Sequence, residues 1–135
     1  MAPTHLLHPA AIIRLILSAE LILAGQARIT PLLTPSLYNR IIDKADVTHP
    51  YLTGIVPVQD VKTHTQVIGA LMCTAGIVLA LPENLCPPSV RVGGALLSMS
   101  LSLAGLYSQY KAGMPFWVPV VNTGLAAAIV YGEGF

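Results

Sequence analysis

Glu20 is the residue whose type and position most directly suggest chemistry. It lies near the middle of the apolar run Ala10–Gln26 (AAIIRLILSAELILAGQ), which is long enough to enter a bilayer. An acid at the centre of a membrane helix costs about 2.5–3.5 kcal/mol on insertion scales, so such a residue is paired, protonated or functional. A carboxyl held in apolar surroundings favours its neutral form and can hand a proton to a substrate. Arg14 precedes Glu20 by six residues, which is out of register for an i,i+4 pair, but a cation there can stabilise developing negative charge. Asn122 forms a polar pair with Thr123 near the middle of the last apolar run, where it can hydrogen-bond across helices. Glu20, Asn122 and Arg14 therefore form the expected catalytic set. Glu20 would be the proton donor, Asn122 would orient the acid or the substrate, and Arg14 would be the electrostatic partner. For Glu20 a purely structural role, neutral and hydrogen-bonded to a neighbouring helix, stands beside the catalytic one.

A second group of polar side chains clusters at the ends of the apolar runs. Gln26 ends the first, Asp60, His64 and Gln66 begin the second, and Tyr107, Gln109 and Tyr110 end the third. In antiparallel helices these positions come to one membrane side, which makes them candidate substrate-binding residues. His64 can act there as a base oriented by Asp60 one turn earlier, although an acidic first turn on a solvated helix start accounts for the same spacing. Trp117 belongs to the candidate binding set, but Trp117, Tyr110 and Tyr131 also suit anchoring at the membrane–water interface. His5, His8 and His49 read as loop residues. Cys73 and Cys86 are thirteen residues apart, form no C-x-x-C motif and read as free thiols. There is no H-x-x-x-H metal spacing and no glycine-rich phosphate loop, so the expectation is chemistry without metal or cofactor.

The elements that position these residues follow from hydropathy. Of the 135 residues 54% are hydrophobic and only 10% charged, with a mean hydropathy of +0.69. Soluble domains carry about 25% charged residues, so the bilayer is the natural solvent for this chain. A net charge of +1 without a Lys/Arg cluster excludes a nucleic-acid partner. Four apolar runs, 10–26, 65–81, 90–107 and 116–131, predict four transmembrane helices, because lipid-exposed backbone must satisfy its own hydrogen bonds. Turns rich in proline at Pro82–Ser89, which includes Glu83, and at Lys111–Pro115 predict antiparallel neighbours. The first connection is too long for a turn. Within it, Thr34-Pro35 reads as a helix start, and Leu37, Tyr38, Ile41, Ile42 and Ala45 share one face with Asn39, Arg40, Asp43 and Lys44 largely opposite. That predicts a short amphipathic helix over about 35–46, capping the bundle, followed by an irregular stretch from Thr48 to Pro57. Small residues at Gly69, Cys73 and Gly76, and at Gly94, Ser98, Ser102 and Gly105, predict close helix packing. The fold expected is an all-α, four-transmembrane-helix antiparallel bundle, one integral membrane domain over 1–135. Arg28, Arg40, Lys44, Lys62 and Lys111 place the long first loop on the cytosolic side by the positive-inside rule. The expected location is a multi-pass protein of the endoplasmic reticulum. The N-terminus lacks a basic region before its apolar run and reads as a retained helix.

Three stretches carry a family resemblance: Leu23-Ala24-Gly25-Gln26-Ala27-Arg28-Ile29-Thr30-Pro31, Leu33-Thr34-Pro35-Ser36-Leu37-Tyr38, and Ile68 to Leu79 (IGALMCTAGIVL). In these the chain resembles the DoxX-like family of small four-helix membrane proteins, which includes the chaperone type that assembles nicotinic receptors. Many relatives carry an acid in the second helix where this chain has Met72. Two functions are expected. One is a membrane-embedded acid–base isomerase or cyclase acting on a lipophilic, terpenoid- or polyketide-like small molecule. The other, which the resemblance implies, is an assembly chaperone or accessory subunit that binds client transmembrane helices. Self-association is compatible with either.

Overall fold

The computed structural model describes residues 9–54, 57, 60–82 and 84–134. His5, His8 and Glu83 lie outside the described residues. Five helices and no strand occur among those described: α1 (Pro9–Ile29), α2 (Pro35–Leu52), α3 (Val61–Ala80), α4 (Pro88–Lys111) and α5 (Trp117–Gly134). Each apolar run of the sequence coincides with a helix, with only Leu81 and Phe116 falling one residue outside, and each helix extends past its run at one end or both. Two of them, α3 and α4, are long and apolar enough to cross a membrane, and the apolar stretch of α5, Trp117–Gly132, is shorter.

The extensions have local causes. Asp60 accepts a hydrogen bond from the Thr63 amide at 2.9 Å, so α3 starts at Val61 rather than Thr65. Pro88 occupies the first turn of α4, where a missing N–H is not needed and a fixed φ suits the helix. Lys111 ends α4 in a Schellman turn. Gly113, at φ +71, donates to the Tyr110 carbonyl at 3.2 Å, and the Met114 amide donates to the Gln109 carbonyl at 2.9 Å. The amphipathic helix departs most from the sequence expectation. It runs to Leu52 instead of ending near 46, with Pro50 in its last turn, where few carbonyls remain to be bonded. His49 is therefore helical rather than a loop residue. Thr34 does start this helix, its carbonyl accepting from the Tyr38 amide, but its hydroxyl makes no cap and instead accepts from Gln26.

The tightest seam joins α1 and α3. Ser18 donates to the Gly76 carbonyl at 2.6 Å, and Gly25 lies against Gly69 seven residues along each helix, in antiparallel register. A Cβ on Gly69 would stand 2.6 Å from the Gly25 carbonyl oxygen, so glycine is required for this approach. Gly94 of α4 packs on Val78 in the same manner. One end of the bundle is filled by Leu17, Leu21, Met72, Leu79, Ala95 and Ile129. At the other end α2 packs across α1, α3 and α4.

Candidate active-site cavity

Under α2 lies a cavity of about 390 Å³ to which all five helices contribute. Pockets of about 300–1,000 Å³ are typical of small-molecule sites. From α2 the lining residues Leu37, Ile41, Ala45, Thr48 and Leu52 recur at helical spacing and form the roof. Ile68 and Met72 of α3, Leu101 of α4, and Val118 and Pro119 of α5 form apolar walls.

Glu20 lines this cavity, and so does Asn122. Asn122 Nδ2 donates to Glu20 Oε2 at 2.7 Å, joining α1 to α5 across 102 residues of sequence. Helix rotation decides this meeting, and the weak apolar periodicity of the two runs does not reveal it. The hydrogen bond occupies one carboxyl oxygen and leaves the other available to the cavity. Asn122 is itself buried. His64 and Gln109 also line the cavity. The His64 ring meets the His49 ring edge-to-face, with centroids 5.0 Å apart and planes at 87°.

The remaining candidate residues are placed elsewhere. Arg14 does not line the cavity. It lies six residues before Glu20, on another face of α1 and towards the filled end. Gln26 donates from Nε2 to the Leu23 carbonyl at 2.9 Å and to Thr34 Oγ1 at 2.7 Å, which brackets the α1–α2 corner. Asp60 is an N-cap whose carboxylate also accepts from Thr63 Oγ1 at 2.6 Å. Those hydrogen bonds hold it below the usual aspartate range, and it is committed to Thr63 rather than to orienting His64. Tyr107 and Tyr110 face outward, with Lys111 Nζ 5.9 Å from the centre of the Tyr107 ring and Phe116 edge-on to Tyr110. Trp117 is 69% exposed, an orientation suited to anchoring.

Two lining cations were not among the sequence candidates. Arg28, in the last turn of α1, donates from Nη1 to the Ala24 carbonyl at 2.9 Å. Lys44 lies in the middle of the roof, against the expectation that it faces away. The signal was present in the spacing, since Lys44 is seven residues after Leu37 and three after Ile41. Its charge class obscured that register. Burial pushes the Lys44 ammonium down from its ordinary value, and the Arg28 charge pushes it further the same way.

Compared with known proteins, the chain matches no family model, no curated protein and no solved structure at a significant level.

Proposed function

We propose that this is a multi-pass membrane protein of DoxX-like architecture, four of whose helices cross the bilayer, and that it isomerises or cyclises a lipophilic small molecule by acid–base chemistry in the cavity under α2. The single observation that carries the proposal is the Glu20–Asn122 hydrogen bond inside an otherwise largely apolar cavity. The exposed faces of the helices support the membrane assignment, since they present large apolar side chains such as Ile16, Ile77, Leu103 and Val121. The first loop with α2 would face the cytosol, and the endoplasmic reticulum is the proposed compartment.

The chemistry follows from the two side chains. Neutral Glu20 donates its proton to an epoxide oxygen, a carbonyl oxygen or an alkene carbon of the substrate. Asn122 holds one carboxyl oxygen, so the proton travels from the other. The cationic centre formed in the substrate rearranges or is captured by an internal double bond. Loss of a proton from a neighbouring carbon back to the Glu20 carboxylate closes the cycle, with no atom gained or lost. The apolar walls keep water from the cation. Reconstituted wild-type protein and Glu20→Gln, compared on lipophilic epoxides and polyenes, test this. Turnover present in the wild type and equal in Glu20→Gln removes the proposed donor.

A client-binding or self-associating protein is the second reading. Gly124, Ala128 and Gly132 favour it, being spaced by four on the exposed face of α5. The small-residue positions Gly69, Gly76, Gly94, Ser98 and Ser102 are used in packing within the chain. Co-purification of a membrane protein with the wild type but not with Gly124→Leu, in the absence of any turnover, would favour it over the enzyme.

A further inference from the structure

Proton transfer by Glu20 uses neither of the two cations that share the lidded end of the cavity. Arg28 enters from α1 and Lys44 from α2, so their charges converge from different elements. Arg28 commits one donor to the Ala24 carbonyl, and a guanidinium has five. Among the described residues the Lys44 ammonium has no hydrogen-bond or ion-pair partner. Among the described lining residues Glu20 is the sole acid; it accepts from Asn122 and its electrostatic attraction is to Arg28, which leaves Lys44 the cation without an acidic partner. Among the described residues His49 and His64 complete the titratable groups facing this space. Two like charges held in a partly buried space cost free energy that a bound anion recovers. Burial and the Arg28 charge both weigh on the Lys44 ammonium.

We propose that Arg28 and Lys44 clamp the anionic head of a single-chain lipophile, a carboxylate or phosphate monoester, whose apolar body extends down the cavity past Glu20. This rests on the reading of the cavity as a substrate site and names the substrate class. Arginine supplies a planar fork for the two oxygens of the head and lysine a compact point charge. A cavity of about 390 Å³ accommodates one chain rather than a two-chain lipid. The Ala24 carbonyl, which holds the guanidinium, is four residues beyond Glu20, about 6 Å along the helix axis. The reacting atom of the substrate therefore lies near its charged head, not at the distal end of its chain.

The test uses the full chain in phosphatidylcholine nanodiscs, with tritiated dodecanoate as probe and empty discs as background. Unlabelled dodecyl phosphate should displace the probe, while methyl dodecanoate and dodecanol should need at least tenfold higher concentration. Lys44→Met and Arg28→Gln should each weaken dodecanoate binding tenfold or more, and Lys44→Arg should restore most of it. Trp117 fluorescence checks that each variant is folded. Equal competition by the methyl ester, or unchanged affinity in folded Lys44→Met, overturns the clamp. So does displacement of the probe by inorganic phosphate as effectively as by dodecyl phosphate, or by phosphatidylglycerol placed in the disc. Glu20→Gln separates the two proposals: it should lose turnover yet bind dodecanoate at least as tightly. Retained turnover in that variant with acid-selective binding intact would remove the proton donor and leave the clamp.

Discussion

The contact between Glu20 and Asn122 can be measured as a double-mutant cycle, and it separates a packing role from a catalytic one. At 2.7 Å the hydrogen bond has the length of a strong N–H···O contact. In membrane proteins such side-chain bonds contribute about 0.6 kcal/mol on average and up to about 1.7 kcal/mol. Glu20→Gln keeps a carbonyl oxygen where the carboxyl oxygen accepts, so stability should change by less than about 0.5 kcal/mol, since the acceptor survives. Asn122→Leu removes the donor and leaves the part-buried carboxyl without its partner, at a cost of about 1–3 kcal/mol. The double variant Glu20→Leu/Asn122→Leu, measured with its two single variants, should yield a coupling of about 0.6–1.7 kcal/mol. Unfolding by a denaturing detergent, followed at Trp117, the only tryptophan, reads these values. Activity should divide differently. Glu20→Gln, almost neutral for stability, should lower turnover by about 10²–10⁴ because general acid catalysis is lost. A coupling indistinguishable from zero would refute the contact itself. A coupling of the expected size with full activity in Glu20→Gln would make the pair a packing device.

Other perturbations test the frame around that pair. Gly69→Ala places a Cβ 2.6 Å from the Gly25 carbonyl oxygen and should destabilise by about 1–3 kcal/mol in the same unfolding assay, whereas Gly93→Ala meets nothing within 4 Å and should be neutral or slightly stabilising. Gly113→Ala, at φ +71, should cost about 1 kcal/mol and loosen the α4–α5 turn, seen as faster amide exchange at Met114. Lys44→Met should stabilise the ligand-free protein by about 0.5 kcal/mol at neutral pH while removing acid-selective binding. The Lys44 value is lowered on folding, so its charge opposes folding at neutral pH and that opposition fades as pH rises towards the ordinary lysine range. Asp60 shifts downward on folding, so its contribution is present above the ordinary aspartate value and disappears as pH falls through its lowered one. Exchange protection of the Thr63 amide, corrected for intrinsic rate, should fall in that acidic window and should be low at all pH values in Asp60→Ala.

What the sequence determined by itself was the set of helices and their order. Apolar runs, proline-marked turns and the Thr34-Pro35 start are local signals, and local signals place elements. Small residues at Gly69, Cys73 and Gly76 marked the face of α3 on which α1 packs, since only close backbone approach uses them there. The extent of α2 was less legible, because Pro50 reads as a break until its place in a last helical turn is seen. Only the tertiary structure decided which polar side chains meet. Glu20 and Asn122 are 102 residues apart, and the rotation of two almost uniformly apolar helices leaves no periodic trace in the chain. The same cause sent Tyr107, Tyr110 and Trp117 outward and Gln26 and Asp60 into helix-end hydrogen bonds. Lys44 shows the limit most clearly: its spacing lies on the apolar face of α2, yet a charged residue is assigned to solvent until the lid is docked and its ammonium is found over the cavity. Side-chain convergence depends on packing of all five helices at once, and that is a property of the fold rather than of any segment.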